Sequence, residues 1–205
     1  MKAPSADVLR AKASLRKALQ SEREALEPAR VQTESAWIMT CVTALPEFRQ
    51  AETILGYLAK PHEVQTAGLL EAAWRAGKRV AVPASRIDGE YVPAWLNPGD
   101  SVKTERFGVP EPVTPVWAKP DRFDLVIVPG VAFAASGARL GHGKGYYDRM
   151  LARLGLRAVC KVGVCFGFQL APELPVDEHD VNMEVVVAGD QVYRSPAMTG
   201  GIKRG

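Results

Sequence analysis

From residue 8 to 26 the apolar side chains Val8, Ala11, Leu15, Leu19 and Leu26 recur at helical spacing, which predicts an amphipathic helix. Pro28 closes it, and a second amphipathic segment follows over about residues 30–45. The period then changes. TILGYLA at 53–59 is a short apolar run without helical spacing and predicts a buried strand, while TAGLLEAAWRAGK at 66–78 predicts a helix closing at Gly77. RVAVP and YVPAWLN predict two more strands. DLVIVP at 124–129, a continuous apolar run bounded by Pro-Gly, has the pattern of a central strand covered on both faces. After Gly145 helical spacing returns, with Tyr147, Met150, Leu151 and Leu154 on one stripe. AVCKVGVCF predicts a strand, EVVVAGDQVYR a closing hairpin, and residues 195–205 a frayed tail after a single domain spanning 1–194.

Strands alternating with helices argue for an α/β sandwich, a largely parallel sheet with helices on both faces. In such sheets ligands sit beyond the carboxyl ends of the strands, and DLVIVPG feeds directly towards the stretch RLGHGKGYYDR at 139–149. Composition changes this picture little. At 205 residues, 47% hydrophobic and 24% charged, the chain is sized for one soluble domain, and no apolar run is long enough to span a bilayer. The N-terminus lacks the apolar core of a signal peptide, and we expect a cytoplasmic protein. Cys41, Cys160 and Cys165 contain no CxxC pair, so neither a disulfide framework nor a zinc cluster is expected. A net charge of +3, scattered along the chain, gives no basic stripe for nucleic acid.

The candidate chemistry lies in the glycine stretch. Gly141, Gly143 and Gly145 permit positive φ and close backbone approach, and consecutive amides leading into a helix make an anion cradle. Lys144 adds a mobile positive charge. The stretch matches neither the P-loop nor the dinucleotide fingerprint, so a turn that merely enters a helix is the competing reading. Asp148, in the first turn of that helix, either complements the helix dipole or ligates magnesium. A second acid is available among Asp177, Glu178, Asp180 and Glu184, unless that run is a solvated loop. Lys12 and Arg16, on the shoulder of the first helix's apolar arc, either snorkel or hold an anion between them. His142, inside the glycine stretch, is placed to touch a ligand, and neither it nor His179 has zinc-ligand spacing.

Four blocks in order, KASLR at 12–16, YLAKPHEVQT at 57–66, VPGVAFAASGARLGHGKGYYDR at 128–149 and LPVDEHDVNMEVVV at 174–187, resemble the 5-formyltetrahydrofolate cyclo-ligase family. The resemblance implies a single-domain three-layer α/β/α sandwich with a mixed, largely parallel sheet. It also implies conversion of 5-formyltetrahydrofolate and ATP to 5,10-methenyltetrahydrofolate, ADP and phosphate, with Mg²⁺ as cofactor. By motif, Lys12, Ala13, Ser14, Leu15 and Arg16 resemble the family's N-terminal nucleotide-binding segment. Arg139, Leu140, Gly141, His142, Gly143, Lys144, Gly145, Tyr146 and Tyr147 resemble its phosphate loop. Leu58 and Glu63, with 142–146, match the folate contacts, and Asp148 and Asp180 the magnesium positions. Arg139, Lys144 and Tyr146 fall at the catalytic positions. The loop reads G-H-G-K-G where many members have G-Y-G-G-G, and Glu63 is the only acid in KPHEV. The partners implied are 5-formyltetrahydrofolate and ATP, with no nucleic acid, no membrane, and a monomer or at most a weak dimer. The rival readings are a non-catalytic folate- or nucleotide-binding relative, and an ATP-dependent ligase or kinase acting on another small acid.

Overall fold

The computed structural model describes residues 6–104, 108–119, 123–143, 145–153, 159–176 and 180–196. Lys144, Asp177, Glu178, His179, Leu154 and the last nine residues, 197–205, lie outside them. Two long helices, α1 (Ala6–Glu24) and α2 (Pro28–Ala44), come first, then a short α3 (Pro46–Gln50). Pro28 does not close α1. It stands at the start of α2, where its missing N–H costs nothing and its fixed φ suits a helix.

The rest of the chain alternates strands and helices: β1 (Thr53–Leu55), α4 (Ala67–Arg75), β2 (Arg79–Ser85), β3 (Tyr91–Leu96) and β6 (Val116–Trp117). Then come β7 (Leu125–Pro129), α5 (Tyr146–Arg153), β10 (Cys160–Cys165), β12 (Val185–Ala188) and β13 (Gln191–Arg194). They form one eight-stranded sheet in the order β13-β12-β10-β7-β1-β2-β3-β6. The five central strands, β12 to β2, run parallel, and antiparallel β13, β3 and β6 finish the edges. Two pairs of very short strands, β4 (Val102–Thr104) with β5 (Pro110–Pro112) and β8 (Ala132–Ala134) with β9 (Arg139–Leu140), hang off this frame, and β11 (Leu170–Ala171) joins β8.

All five residues of β7 are buried, as a strand covered on both sides requires. Its side chains alternate between two cores. Leu125 and Ile127 pack with Val31, Ile38, Val42 and Phe48 of α2 and α3 and with Leu69 and Leu70 of α4. Val126 and Val128 face the other way, onto Met150 and Leu151 of α5 and onto Phe133. Cys160 and Cys165 likewise go to opposite cores. Helices therefore cover both faces, which is the three-layer arrangement. Among the described residues no helix is long and apolar enough to cross a membrane.

Two expectations are revised. The first strand is shorter than residues 53–59: after Leu55 only the Gly56 amide still bonds the sheet, to Ala81 O. Tyr57 then turns away, because its hydroxyl donates to Val64 O and its carbonyl accepts from Thr66 Oγ1, closing a compact loop. The first helix does not bury an apolar stripe. Leu9 and Ala11 are exposed, and the buried residues of α1 are Lys12 and Arg23. Lys12, Arg16, Gln20 and Arg23 follow one another at i, i+4, i+8 and i+11, so a polar stripe is turned inward.

Candidate active site

A cleft of about 430 Å³ opens at the carboxyl ends of the central strands. Tyr57, Leu58 and Glu63 enter it from the loop after β1, Pro83 from the end of β2, and Pro129 from the end of β7. The glycine stretch and the start of α5 form the opposite wall. This is the position that sheet topology reserves for ligands, because strand ends stop there and loops diverge.

Arg139 organises that wall. It is 5% exposed, and its guanidinium donates to Pro129 O at 3.2 Å and to Asp148 Oδ1 at 2.8 Å. One buried cation thus ties the end of β7 to the first turn of α5. Its Nε has no partner among the described residues. Gly141 is required for space: a Cβ there would lie 2.9 Å from Arg139 Nη1. Gly143 and Gly145 are required for torsion, at φ +89° and +62°, in the left-handed region that side chains resist. From α1, Arg16 Nε donates to Gly141 O at 2.8 Å, and its guanidinium lies against Gly143. The glycine turn therefore carries arginines on both flanks.

The two acids matched to magnesium are each held by a cation. Asp148 takes Arg139, and Lys12 Nζ, 3% exposed as a residue, lies 2.6 Å from Asp180 Oδ2. A buried ammonium or guanidinium needs such a counter-charge, and these contacts supply it. Asp148 keeps Oδ2 without a hydrogen-bond partner among the described residues. Glu184, an alternative second acid, leaves the site. It pairs with Lys161 Nζ at 3.1 Å and accepts the Lys161 amide, at the amino ends of β10 and β12. No group of three or more metal-ligating side chains occurs among the described residues.

At the other end of the cleft, Glu63 is 7% exposed. Burial opposes its ionisation, but the hydrogen bond from His142, the Lys60 amide and the charge of Arg23 outweigh burial and hold its pKa below the usual carboxylate value. His142 Nε2 lies 3.3 Å from Glu63 Oε1, and the Lys60 amide 3.1 Å from Oε2. Burial, reinforced by the Glu63 charge, pushes the hydroxyls of Tyr57 and Tyr147 up, so both stay protonated. Tyr91 and Tyr146 meet with ring centroids 5.1 Å apart and form an aromatic wall.

Of the residues singled out from the sequence, Leu58, Glu63, Arg139, Gly141, His142, Gly145 and Tyr146 to Asp148 line this cleft. Arg16 reaches Gly141 of the cleft wall, whereas Lys12 pairs with Asp180, which is not among the lining residues. Ala13 and Ser14 are exposed on α1, and Leu140 is buried in the core. Gln20, Arg23, Tyr57 and Tyr91 were not anticipated. Gln20 and Arg23 continue the Lys12–Arg16 register, a signal that extending the helical wheel finds. Tyr91 carries none, since only the antiparallel pairing of β3 with β2 brings it there.

Comparison with known proteins bears on this cleft. The model of the 5-formyltetrahydrofolate cyclo-ligase family matches residues 8–189. A 5-formyltetrahydrofolate cyclo-ligase from Escherichia coli (strain K12) is 32% identical over 183 residues, covering 85% of this chain and 98% of that protein. A probable 5-formyltetrahydrofolate cyclo-ligase from Schizosaccharomyces pombe is 30% identical over 201 residues, covering 90% and 98%. The solved structure of Aquifex aeolicus 5,10-methenyltetrahydrofolate synthetase superimposes with a TM-score of 0.79 at 31% identity, covering 95% of this chain and 96% of that one. The matched span runs from α1 through β12 and takes in every wall of the cleft, and the chain belongs to the 5-formyltetrahydrofolate cyclo-ligase family.

Proposed function

We propose that the protein cyclises 5-formyltetrahydrofolate to 5,10-methenyltetrahydrofolate, with ATP converted to ADP and phosphate. The observation that carries this reading is that one cleft joins an ionised, buried carboxylate, Glu63, to a glycine turn flanked by Arg16 and Arg139. A pterin ring presents N–H donors that such a carboxylate accepts. A triphosphate presents anionic oxygens that loop amides and guanidinium groups take up.

The formyl group is an amide, so resonance blunts its carbon and its oxygen leaves poorly. In the proposed reaction the formyl oxygen attacks the γ-phosphorus of ATP and the bond to ADP breaks. The folate's N10 then attacks the activated carbon, the C–O bond breaks with release of phosphate, and N10 loses its proton. Such chemistry calls for positioning and neutralisation of phosphate charge and for no protein nucleophile. Arg139, Arg16, Lys12 and Lys144 supply positive charge, the amides of the glycine turn orient the phosphates, and Glu63 orients the pterin. The Tyr91–Tyr146 wall excludes water from one side.

The donor set fits a hard cation: Asp148 has an oxygen without a hydrogen-bond partner among the described residues, and Asp180 is a second carboxylate, the usual protein share when phosphates and waters complete the shell. Asp148 and Asp180 would hold Mg²⁺, which supplies neutralisation of phosphate charge. To test the function, purified protein is mixed with 5-formyltetrahydrofolate, Mg²⁺ and ATP, and the near-ultraviolet band of the methenyl product is followed. Growth only when ATP and Mg²⁺ are both present is expected. ATP binding without any band would contradict the reading in favour of a relative with another substrate.

A further inference from the structure

We propose that Gln20 is a positioning residue that fixes the tautomer of His142 and, through it, the orientation of Glu63. Gln20 Nε2 lies 3.2 Å from His142 Nδ1, and His142 Nε2 lies 3.3 Å from Glu63 Oε1. A primary amide nitrogen only donates, so His142 Nδ1 must present its lone pair to it. The proton of a neutral imidazole then sits on Nε2, facing the carboxylate. The opposite tautomer would set N–H against N–H at Gln20 and lone pair against carboxylate at Glu63, two repulsive contacts together. Gln20, which donates, and Glu63, which accepts, thereby favour the same tautomer from opposite sides of the ring.

The device is needed because His142 has little else to hold it. It lies between Gly141 and Gly143, the latter at φ +89°, and its side chain is 35% exposed. Among the described residues, the charged groups around the triad include Arg16 and Arg23 on α1, Lys60 in the loop after β1, and Glu63 itself; Arg16 is engaged at Gly141. None of these supplies a second donor to Nδ1 among the hydrogen bonds of the described residues. The chain Gln20–His142–Glu63 runs from α1 across the glycine turn to the loop after β1. It therefore couples the two halves of the cleft that the proposed reaction uses.

The kinetic consequence rests on the reading of Glu63 as the folate anchor, whereas the tautomer is a property of the protein alone. Long-range ¹H–¹⁵N spectra of the ligand-free protein, recorded where imidazole is neutral, should place the His142 proton on Nε2. Gln20→Met, similar in size but without a donor, should let a fraction of the Nδ1–H form appear beside the Nε2–H form that Glu63 still favours. Gln20→Met should also raise KM for the folate about fivefold, the equivalent of one hydrogen bond, with kcat and KM for ATP unchanged. In a His142→Ala background the same substitution should add nothing. The proposal is overturned by a wild-type Nδ1–H tautomer, by a spectrum that Gln20→Met leaves unchanged, or by a KM effect that persists without His142. A wild-type protein lacking folate turnover would sink the functional reading, while the spectra would still decide the tautomer.

Discussion

Asp148 serves two masters at the scale of the single residue. One oxygen holds Arg139, and the other has no hydrogen-bond partner among the described residues, while the residue itself lines the cleft. Alanine at this position removes both roles, so it destabilises through the stranded guanidinium as well as lowering turnover. Breaking a buried pair costs about 3–5 kcal/mol, and partial exposure of Asp148 puts this one near the lower end. Asparagine separates the roles, because its carbonyl oxygen still accepts from Arg139. Asp148→Asn should keep its melting temperature within a few degrees of wild type while turnover at limiting Mg²⁺ falls by about a hundredfold or more, the scale of one lost charge-stabilising group. Full activity in that variant would remove Asp148 from the proposed metal site. Glu63→Gln tests the other end. It should raise KM for the folate with little change in KM for ATP, since the amide offers the pterin one donor where it needs an acceptor.

Among the elements, the turn between β8 and β9 leaves no room for a side chain at Gly137. Gly137 sits at φ +93°, its carbonyl accepts the Met183 amide at 2.7 Å, and an added Cβ would lie 2.2 Å from Met183 O. Gly137→Ala should therefore cost at least about 2 kcal/mol in denaturant unfolding. Gly68→Ala, in α4 with open space around it, should stabilise by about 0.5–1 kcal/mol. Asp124 fastens the amino ends of β1 and β7, accepting the Glu52 amide, the Thr53 amide and the Thr53 hydroxyl through one oxygen. Desolvation is the largest single influence and raises its pKa, but the Thr53 and Glu52 donors and the charge of Lys78 together outweigh it and hold the folded value below the ordinary 3.8. Its contribution is thus complete above 3.8 and lost as pH falls through the lower folded value. Asp124→Asn should destabilise by about 1 kcal/mol at neutral pH, and the gap to wild type should close in acid.

Much of this element inventory can be read in the sequence. Residues 125–129 announce a central strand because burial on both faces leaves no polar position, and Gly77 marks the end of α4 at φ +73°. The stripe of α1 is legible only in part. Periodicity draws attention to its leucines, yet tertiary contacts at Asp180 and Gly141 turn the Lys12–Arg16–Gln20 face inward. Strands of two or three residues, such as β6, β9 and β11, are too short to show any period.

Over the whole molecule, two cores flank the main sheet, and the cleft lies towards the carboxyl ends of its parallel strands β1, β2 and β7. The sequence contains the residues of that cleft but not their meeting: Lys12 and Asp180 are 168 positions apart, and Gln20 and His142 are 122 apart. Motif order points to the glycine turn and Glu63, whereas Tyr91 and the Gln20 contact depend on how strands and helix pack. The central claim is that the cleft activates the formyl oxygen by phosphoryl transfer, and its most direct test is isotopic. With oxygen-18 in the formyl group of the substrate, the released inorganic phosphate should carry the label, because the bond to carbon is the one that breaks. Methenyl product formed while the label appears in water and not in phosphate would contradict the mechanism argued from this site.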